Sequence, residues 1–379
     1  MKITEPLVEQ LLRELVAMPT VTADTECNER ALNFIASFLK ERGMHVYQAK
    51  HDGYASLVAT TQKTKTPKVM LVGHTDVVPA EEDFFKVEEQ GDKLYGRGTR
   101  DMKGAIAAYM TVVDILQRQL DDYDFGIMVI SDEETVDYGV IRLLKEGYRP
   151  KSVVLLDGGE SWHLEQLAKG ALYMSIAVNG KTAHGSRPWQ GDSASFKLVE
   201  LLAEFQQDFV GHGPETDTLN VSNIRAGSGA FNQIPDSATA LLDIRLIDES
   251  HKAPVKARLE ELCRKYDGSV EEIVYFPVLK HNMDNPYLVS FRDSITKVTG
   301  VEYSPTIAYG ASDACRFDEL GIPCAVTYPV SGGHHSATEW ISKKALHDLV
   351  LILADHLEKT AKAGSQGTAK RSAVELAAA

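Results

Sequence analysis

Five short runs in this chain bring together side chains that bind cations or move protons. The first is Val72-Gly73-His74-Thr75-Asp76, which ends in an imidazole and a carboxylate two residues apart. Residues i and i+2 of a strand share a face, so His74 and Asp76 would project together. A His that holds a metal commonly hands its second ring nitrogen to a carboxylate or carbonyl, which fixes the tautomer. The same pair can equally be a plain structural hydrogen bond. The second run is Tyr95-Gly96-Arg97-Gly98-Thr99-Arg100-Asp101-Met102-Lys103-Gly104. Its glycines permit a tight loop, and Asp101 stands where a helix begins. Asp101 is therefore either a ligand or a helix N-cap.

The third run is Ser131-Asp132-Glu133-Glu134, and the fourth is Asp157-Gly158-Gly159-Glu160. Each follows an apolar segment that reads as a buried strand. Massed carboxylates at a strand end are costly unless cations neutralise them. The bland alternative is a solvated acidic loop. The fifth run, Gly332-Gly333-His334-His335-Ser336-Ala337-Thr338-Glu339, is a glycine-rich loop before the last helix. Histidines and carboxylates without thiolates suit zinc or another divalent first-row ion. Two ions sharing one carboxylate, with a spare Glu as general base, is the economical arrangement.

These runs need a scaffold that collects strand ends. Helical periodicity marks two helices over 5–42, and further helices at Met102–Arg118, Asp137–Glu146, Pro286–Thr299 and Ser342–Lys359. Strands are expected at His45–Gln48, Ala55–Thr60, Lys68–His74, Phe125–Ile130, Ser152–Leu156, Ser304–Ala308 and Cys324–Tyr328. Alternating helices and apolar strands indicate an α/β domain whose sheet is covered on both faces. Ligands in such folds sit at the carboxyl ends of the strands.

Between these parts the rhythm changes. Leu172–Val178, Ser193–Phe209, Thr218–Ile224, Ala238–Leu246, Ala253–Tyr266 and Val270–Phe276 read as β-α-β-β-α-β, the ferredoxin-like order. The expected organisation is a first domain over 1–170 and 285–361, interrupted by an inserted domain over 171–284. A Gly-, Ser- and Ala-rich tail over 362–379 is expected to be disordered.

The chain has 379 residues and a formal net charge of −14, which argues against nucleic-acid binding. No run of 18 apolar residues suggests a membrane span. Cys27, Cys263, Cys315 and Cys324 are scattered, which suggests reduced thiols and a cytoplasmic protein.

With its Gly-His-x-Asp run, its trailing Val-Val-Pro and its Gly-Arg-Gly-x-x-Asp-x-Lys-Gly run, the chain resembles a di-zinc metallopeptidase family. That family holds aminoacylase, glutamate carboxypeptidase, acetylornithine deacetylase and succinyl-diaminopimelate desuccinylase. The resemblance covers nearly the whole chain and implies a mixed-sheet catalytic domain with an inserted ferredoxin-like lid and dimerisation domain. It also implies two Zn²⁺, with Co²⁺ or Mn²⁺ as substitutes. His74, Asp101 (bridging), Glu134, Asp157 and His335 would be the ligands. His334 and Glu160 are the alternatives to His335 and Asp157. Asp76 would orient His74, and Glu133 would be the general base acting on a metal-bridging water.

In the inserted segment, Gly180–Pro188 resembles the lid, whose His184 would stabilise the oxyanion. Asn232 and Arg245 resemble substrate-carboxylate contacts; an ordinary strand salt bridge is the alternative for Arg245. Ser312 lies in a Gly-Ala-Ser-Asp-Ala-Cys-Arg-Phe run that resembles the desuccinylase-like members but carries one extra residue. The implied activity is removal of an acetyl- or succinyl-type group from an N-acyl amino acid by a homodimer. A dipeptidase or carboxypeptidase is the alternative, and an inactive binding homologue a third reading.

Overall fold

The computed structural model describes residues 5–363 except 136, 137, 210, 212 and 313. The chain divides into two compact units. The first comprises Met1–Gln166, His281–Thr306 and Arg316–Ala379; the second comprises Leu167–Lys280 and Ile307–Cys315. The crossings thus fall a few residues before those expected at 170 and 285. The stretch Ile307–Cys315, expected in the first domain, groups with the second unit. The tail from 364 and Asp313 lie outside the described residues.

The first unit is built on a six-stranded sheet in the order His45–His51, Tyr54–Thr60, Phe125–Ile130, Val69–His74, Val153–Leu155, Cys324–Val326. The first two pairings are antiparallel and the remaining three parallel, so the sheet is mixed. Phe125–Ile130, Val69–His74 and Val153–Leu155 are buried throughout, as continuous apolar runs require when helices cover both faces. Helix Lys103–Leu116 is buried nearly all round, which suits its Ala- and Val-rich sequence.

Register then gathers the site. Val72 pairs with Leu155, and Leu155 with Val326. Two residues further on, these strands deliver His74, Asp157 and Tyr328 to one rim. On the other side His74 pairs with Ile130, so the Glu133–Glu134 turn emerges beside it.

A smaller four-stranded sheet holds the fifth motif. Its order is Ser331–Gly332, Trp340–Ser342, Lys93–Tyr95, Glu88–Gln90. Trp340 pairs with Tyr95 and the Gly96 N–H donates to the Glu339 carbonyl at 3.1 Å. The loop from Gly333 to Glu339 is thereby fixed against the strand that leads into Arg97–Asp101. Gly333 has φ +70°, and a Cβ there would meet the Thr338 carbonyl oxygen at 2.3 Å. Only glycine fits that turn.

The second unit has the order β-α-β-β-α-β: Gly170–Asn179, Ala194–Gln206, Thr218–Ala226, Ser237–Leu246, Lys252–Lys265 and Gly268–Phe276. Its antiparallel sheet runs Thr218–Ala226, Ser237–Leu246, Gly170–Asn179, Gly268–Phe276. One sheet face packs on the two helices through Leu172, Met174, Ile176, Leu198, Leu242 and Leu262. Among the described residues no helix is long and apolar enough to cross a membrane, and all four cysteines are buried and free.

Two buried histidines in the first unit make its stability depend on pH. Burial pushes His356 down to about 3, with Lys359 adding to the shift and Asp355 opposing it. Ser290 Oγ lies 3.2 Å from its Nδ1, and the Phe291 ring packs edge-on against it. Burial pushes His281 down to about 4. Both folded values lie below the unfolded value of about 6.5. In that window the unfolded chain binds more protons, so stability rises with pH and is lost as pH falls from about 6.5 toward 3–4. Thermal melts from pH 7 to pH 4 should show a falling midpoint, and His356→Gln should flatten the slope. An unchanged slope in the variant would place the acid sensitivity elsewhere.

Candidate active site and metal centre

Asp101 is the centre of the arrangement. Its Oδ1 lies 3.0 Å from His74 Nε2, and its Oδ2 lies 2.8 Å from His334 Nε2 and 3.1 Å from His335 Nε2. The residue capping helix Lys103–Leu116 is Met102, with no side-chain bond, so Asp101 has both oxygens turned to histidines instead.

Around His74, Asp157 Oδ2 stands at 3.6 Å and Glu133 Oε2 at 3.9 Å from Nε2. Around His335, Glu134 Oε2 stands at 3.2 Å from Nε2. The residues therefore form two groups that meet at Asp101. Asp101, His334 and His335 are close enough to hold one ion together, as are His74, Glu133 and Asp157. His334 stands as close to Asp101 as His335 does, and only His335 also meets Glu134. Glu160 is exposed, while Asp157 is drawn into the cluster.

The electrostatics of the cluster suit a divalent cation. Burial alone would pull the His74 imidazole down, yet the carboxylates of Asp101, Asp157 and Asp76 hold it well above its usual value. Asp101 and Glu134 raise His335 to about 10. Burial would lift the Asp101 carboxyl, but His334, His335 and His74 together hold it well below its usual range. The carboxylates around these imidazoles favour positive charge at this point. Divalent ions would supply that charge, and neutral imidazoles and carboxylates are the donors they need.

Neighbouring groups fix these donors. The His74 Nδ1 is 2.9 Å from the Asp76 carbonyl oxygen, with the Asp76 carboxylate behind it at 3.5 Å. That carboxylate accepts from the backbone N–H of Glu133 at 3.3 Å and of Glu134 at 3.1 Å, and from Thr22 Oγ1 at 2.9 Å. Asp76 thus anchors the whole Glu133–Glu134 turn, a wider task than orienting His74.

Two supporting residues, Tyr328 and Glu165, had no signal in the sequence, and a third, Glu339, had only one. The Tyr328 hydroxyl donates to Asp157, and the Arg100 guanidinium stacks over the Tyr328 ring at 4.3 Å. Glu165 is 1% exposed and accepts from the Gly159 N–H at 2.9 Å, which holds the Asp157 loop. Glu339 is fully buried. It accepts from Arg97 at 2.7 Å and from the backbone N–H groups of Arg100 at 2.9 Å and Asp101 at 3.1 Å. Spacing offers one hint for Glu339, since it stands four residues after His335. His335 itself has φ +54°, an uncommon conformation for a branched ring side chain, and such outliers cluster at functional sites.

Glu339→Ala should cost about 3–5 kcal/mol, because it leaves the Arg97 guanidinium buried without a counter-charge. Urea denaturation checks this. A change below about 0.5 kcal/mol would show that Arg97 finds water instead.

In the second unit, His184 and Asn232 come together. The Gly185 N–H donates to the Asn232 carbonyl at 2.7 Å, and His184 Nδ1 lies 2.8 Å from Ser186 Oγ. Arg245 pairs with Asp243 through Nε at 2.7 Å and with Tyr173 at 2.8 Å. A substrate carboxylate at Arg245 would have to compete with that pair. Ser312 Oγ accepts from the Ala314 N–H at 3.3 Å, capping the short helix Ala314–Asp318.

Comparison with known families places the chain. Residues 70–359, well over half its length, match the description "Peptidase family M20/M25/M40". The chain belongs to this family. It is therefore a hydrolase of the M20 type, and the expected family and mixed α/β fold stand. A Bordetella petrii protein named succinyl-diaminopimelate desuccinylase is 29% identical, covering 92% of this chain and 96% of that one. A Wolbachia pipientis protein of the same name is 23% identical, covering 92% of each. Among solved structures, a Staphylococcus aureus tripeptidase superposes with TM-score 0.78 at 21% identity, covering 93% of this chain and 97% of that one. At that identity the likeness speaks for the shared M20 fold alone.

Proposed function

We propose that this M20 amide hydrolase removes an acetyl- or succinyl-type acyl group from an N-acyl amino acid. The observation that carries the proposal is the pair of donor groups meeting at Asp101, with a further carboxylate, Glu133, at 3.9 Å from His74 Nε2. The desuccinylase names of the full-length relatives support the acyl choice.

In this reading His74 and Asp157 would hold one divalent ion and Glu134 and His335 a second, with Asp101 available to both groups. Zinc is the assigned metal, with cobalt or manganese able to replace it. Such ions acidify a water and polarise the substrate carbonyl. Glu133 takes the proton from the attacking water and returns it to the leaving amine. Its side chain is 25% exposed, so it can exchange protons with the pocket. Asp76 keeps Glu133 in place through its backbone. Tyr328, hydrogen-bonded to Asp157, limits how that carboxylate can turn. On the sequence resemblance alone we assign the oxyanion contact to His184 and substrate contacts to Asn232, Arg245 and Ser312.

We also infer a homodimer formed through the second unit. Its edge strand Thr218–Ala226 exposes Ile224, and helix Ala194–Gln206 exposes Phe196 and Val199. Apolar groups beside an unpaired strand edge favour cover by a second copy. Free buried cysteines fit a reducing, cytoplasmic setting.

The test is amine release from acetyl- and succinyl-amino acids and from dipeptides, using metal-loaded protein. Faster release from the acyl-amino acids is expected. Faster cleavage of dipeptides would favour an exopeptidase. No hydrolysis of any of them, with metal bound, would leave an inactive binding homologue.

A further inference from the structure

His334 and His335 are neighbours in sequence, yet both rings reach the same carboxylate oxygen. His334 Nε2 lies 2.8 Å and His335 Nε2 3.1 Å from Asp101 Oδ2, and the ring centroids are 4.0 Å apart. Consecutive residues of an extended chain point to opposite sides. This loop is turned instead, with φ +70° at Gly333 and φ +54° at His335. A residue other than glycine holds such a conformation only where its surroundings over-determine it. Here the bonds of Glu339 to Arg97, Arg100 and Asp101 pin the far end of the loop. Among the described residues His334 has no polar partner but Asp101. The loop therefore aims two imidazoles at one point.

The two halves of the cluster then differ in the number and kind of their donors. On the His335 side, Asp101, His334 and His335 are close enough to hold one ion, and Glu134 Oε2 is 3.2 Å from His335 Nε2. That makes four protein donors, two of them imidazoles. On the other side stand His74, Asp157 and the shared Asp101, three donors with one imidazole. The Asp101 and Glu134 side chains are 5% and 6% exposed and the two rings 44% and 45%, so the rings cover the carboxylates from the solvent side. Four protein donors close a tetrahedral zinc site, whereas a catalytic site keeps a position open. Glu133 stands on the three-donor side, 3.9 Å from His74 Nε2.

Resting on the hydrolase reading above, we propose that His334 is a metal ligand together with His335, not its alternative. The His335 half is a closed site of two imidazoles and two carboxylates. The His74 half is the open one, where water and substrate have room beside Glu133. The closed site fills first and holds its ion more tightly, because it has one more protein donor. Its nitrogen donors favour zinc or cobalt, while the open site, richer in carboxylate, also suits manganese.

Chelator-stripped protein given one equivalent of Zn²⁺ tests this by X-ray absorption, which counts imidazoles without any assay of turnover. Two imidazoles on the single ion are expected. Calorimetry should resolve two binding steps. His334→Ala should weaken the first by more than the roughly 10–100-fold that loss of a ligand's supporting group costs, and leave the second within about threefold. Thermal melting of the stripped variant checks that it folds; should it not, the imidazole count on the unaltered protein still decides. One imidazole on the ion, or a first step unchanged in the variant, would overturn the proposal. Two imidazoles with no hydrolysis of any substrate would uphold it and count against the hydrolase reading alone. One imidazole with hydrolysis intact would do the reverse.

Discussion

Replacing Glu133 with glutamine should lower kcat by about 10²–10⁴ while metal content stays unchanged. Glutamine keeps the shape and the backbone N–H bond to Asp76 at 3.3 Å, so the turn stays in place. It cannot accept a proton. KM should change little, because the lost interaction exists only while the proton is moving. The result is informative because geometry alone permits another role. Glu133 stands with His74 and Asp157 as a group able to hold an ion. Were Glu133 a ligand, the variant would lose metal along with rate. Elemental analysis beside steady-state kinetics separates the two.

The second large effect is expected at Asp101. Asparagine in its place keeps one oxygen and turns the other position into a donor. Three histidine nitrogens now face the Asp101 oxygens within 3.1 Å, and they are shared between both halves of the cluster. Asp101→Asn should therefore weaken both ions together. Removing a residue that merely supports a metal ligand typically costs 10–100-fold in affinity. Loss of a shared ligand should exceed about 100-fold, with turnover falling in step. Retention of one ion at full affinity would show that only one half depends on Asp101. Fold stability should change less than metal affinity, since the anchors of this loop are Glu339 and the Gly96 N–H, not the Asp101 side chain.

Much of this arrangement was legible because its carriers follow buried strands. The runs leading to His74, Ile130 and Leu155 are apolar and buried throughout their strands up to those ends, so their carboxyl ends were readable as one rim. Helix Pro286–Thr299 was readable from its pattern, and the structure adds an Asn285 cap and a leading proline. The small sheet was not, because Ser331–Gly332 and Trp340–Ser342 are two and three residues long and carry no periodicity. The Arg97–Glu339 pair spans 242 residues, and no local pattern announces it. Tyr328 and Glu165 act through contacts that exist only once strand register is set. The surplus of the second unit, Ile307–Cys315, escaped because its strand Thr306–Ala308 is three residues long and reads like the first unit's strands.

The choice of His335 over His334 came from the resemblance, and the geometry adds the contact to Glu134 at 3.2 Å. Both rings lie against Asp101, so either is placed to serve as a ligand beside it. The wider role of Asp76 also emerged only in three dimensions, from two backbone N–H groups and a threonine converging on one carboxylate.

Metal stoichiometry coupled to turnover tests the central claim most directly. Chelator-stripped protein is titrated with Zn²⁺, dialysed, analysed for metal and assayed on an N-acyl amino acid. The arrangement at Asp101 predicts two ions retained per chain and hydrolysis that appears as they are taken up. Stripped protein that hydrolyses at the undiminished rate, or a chain that retains no ion, would contradict it.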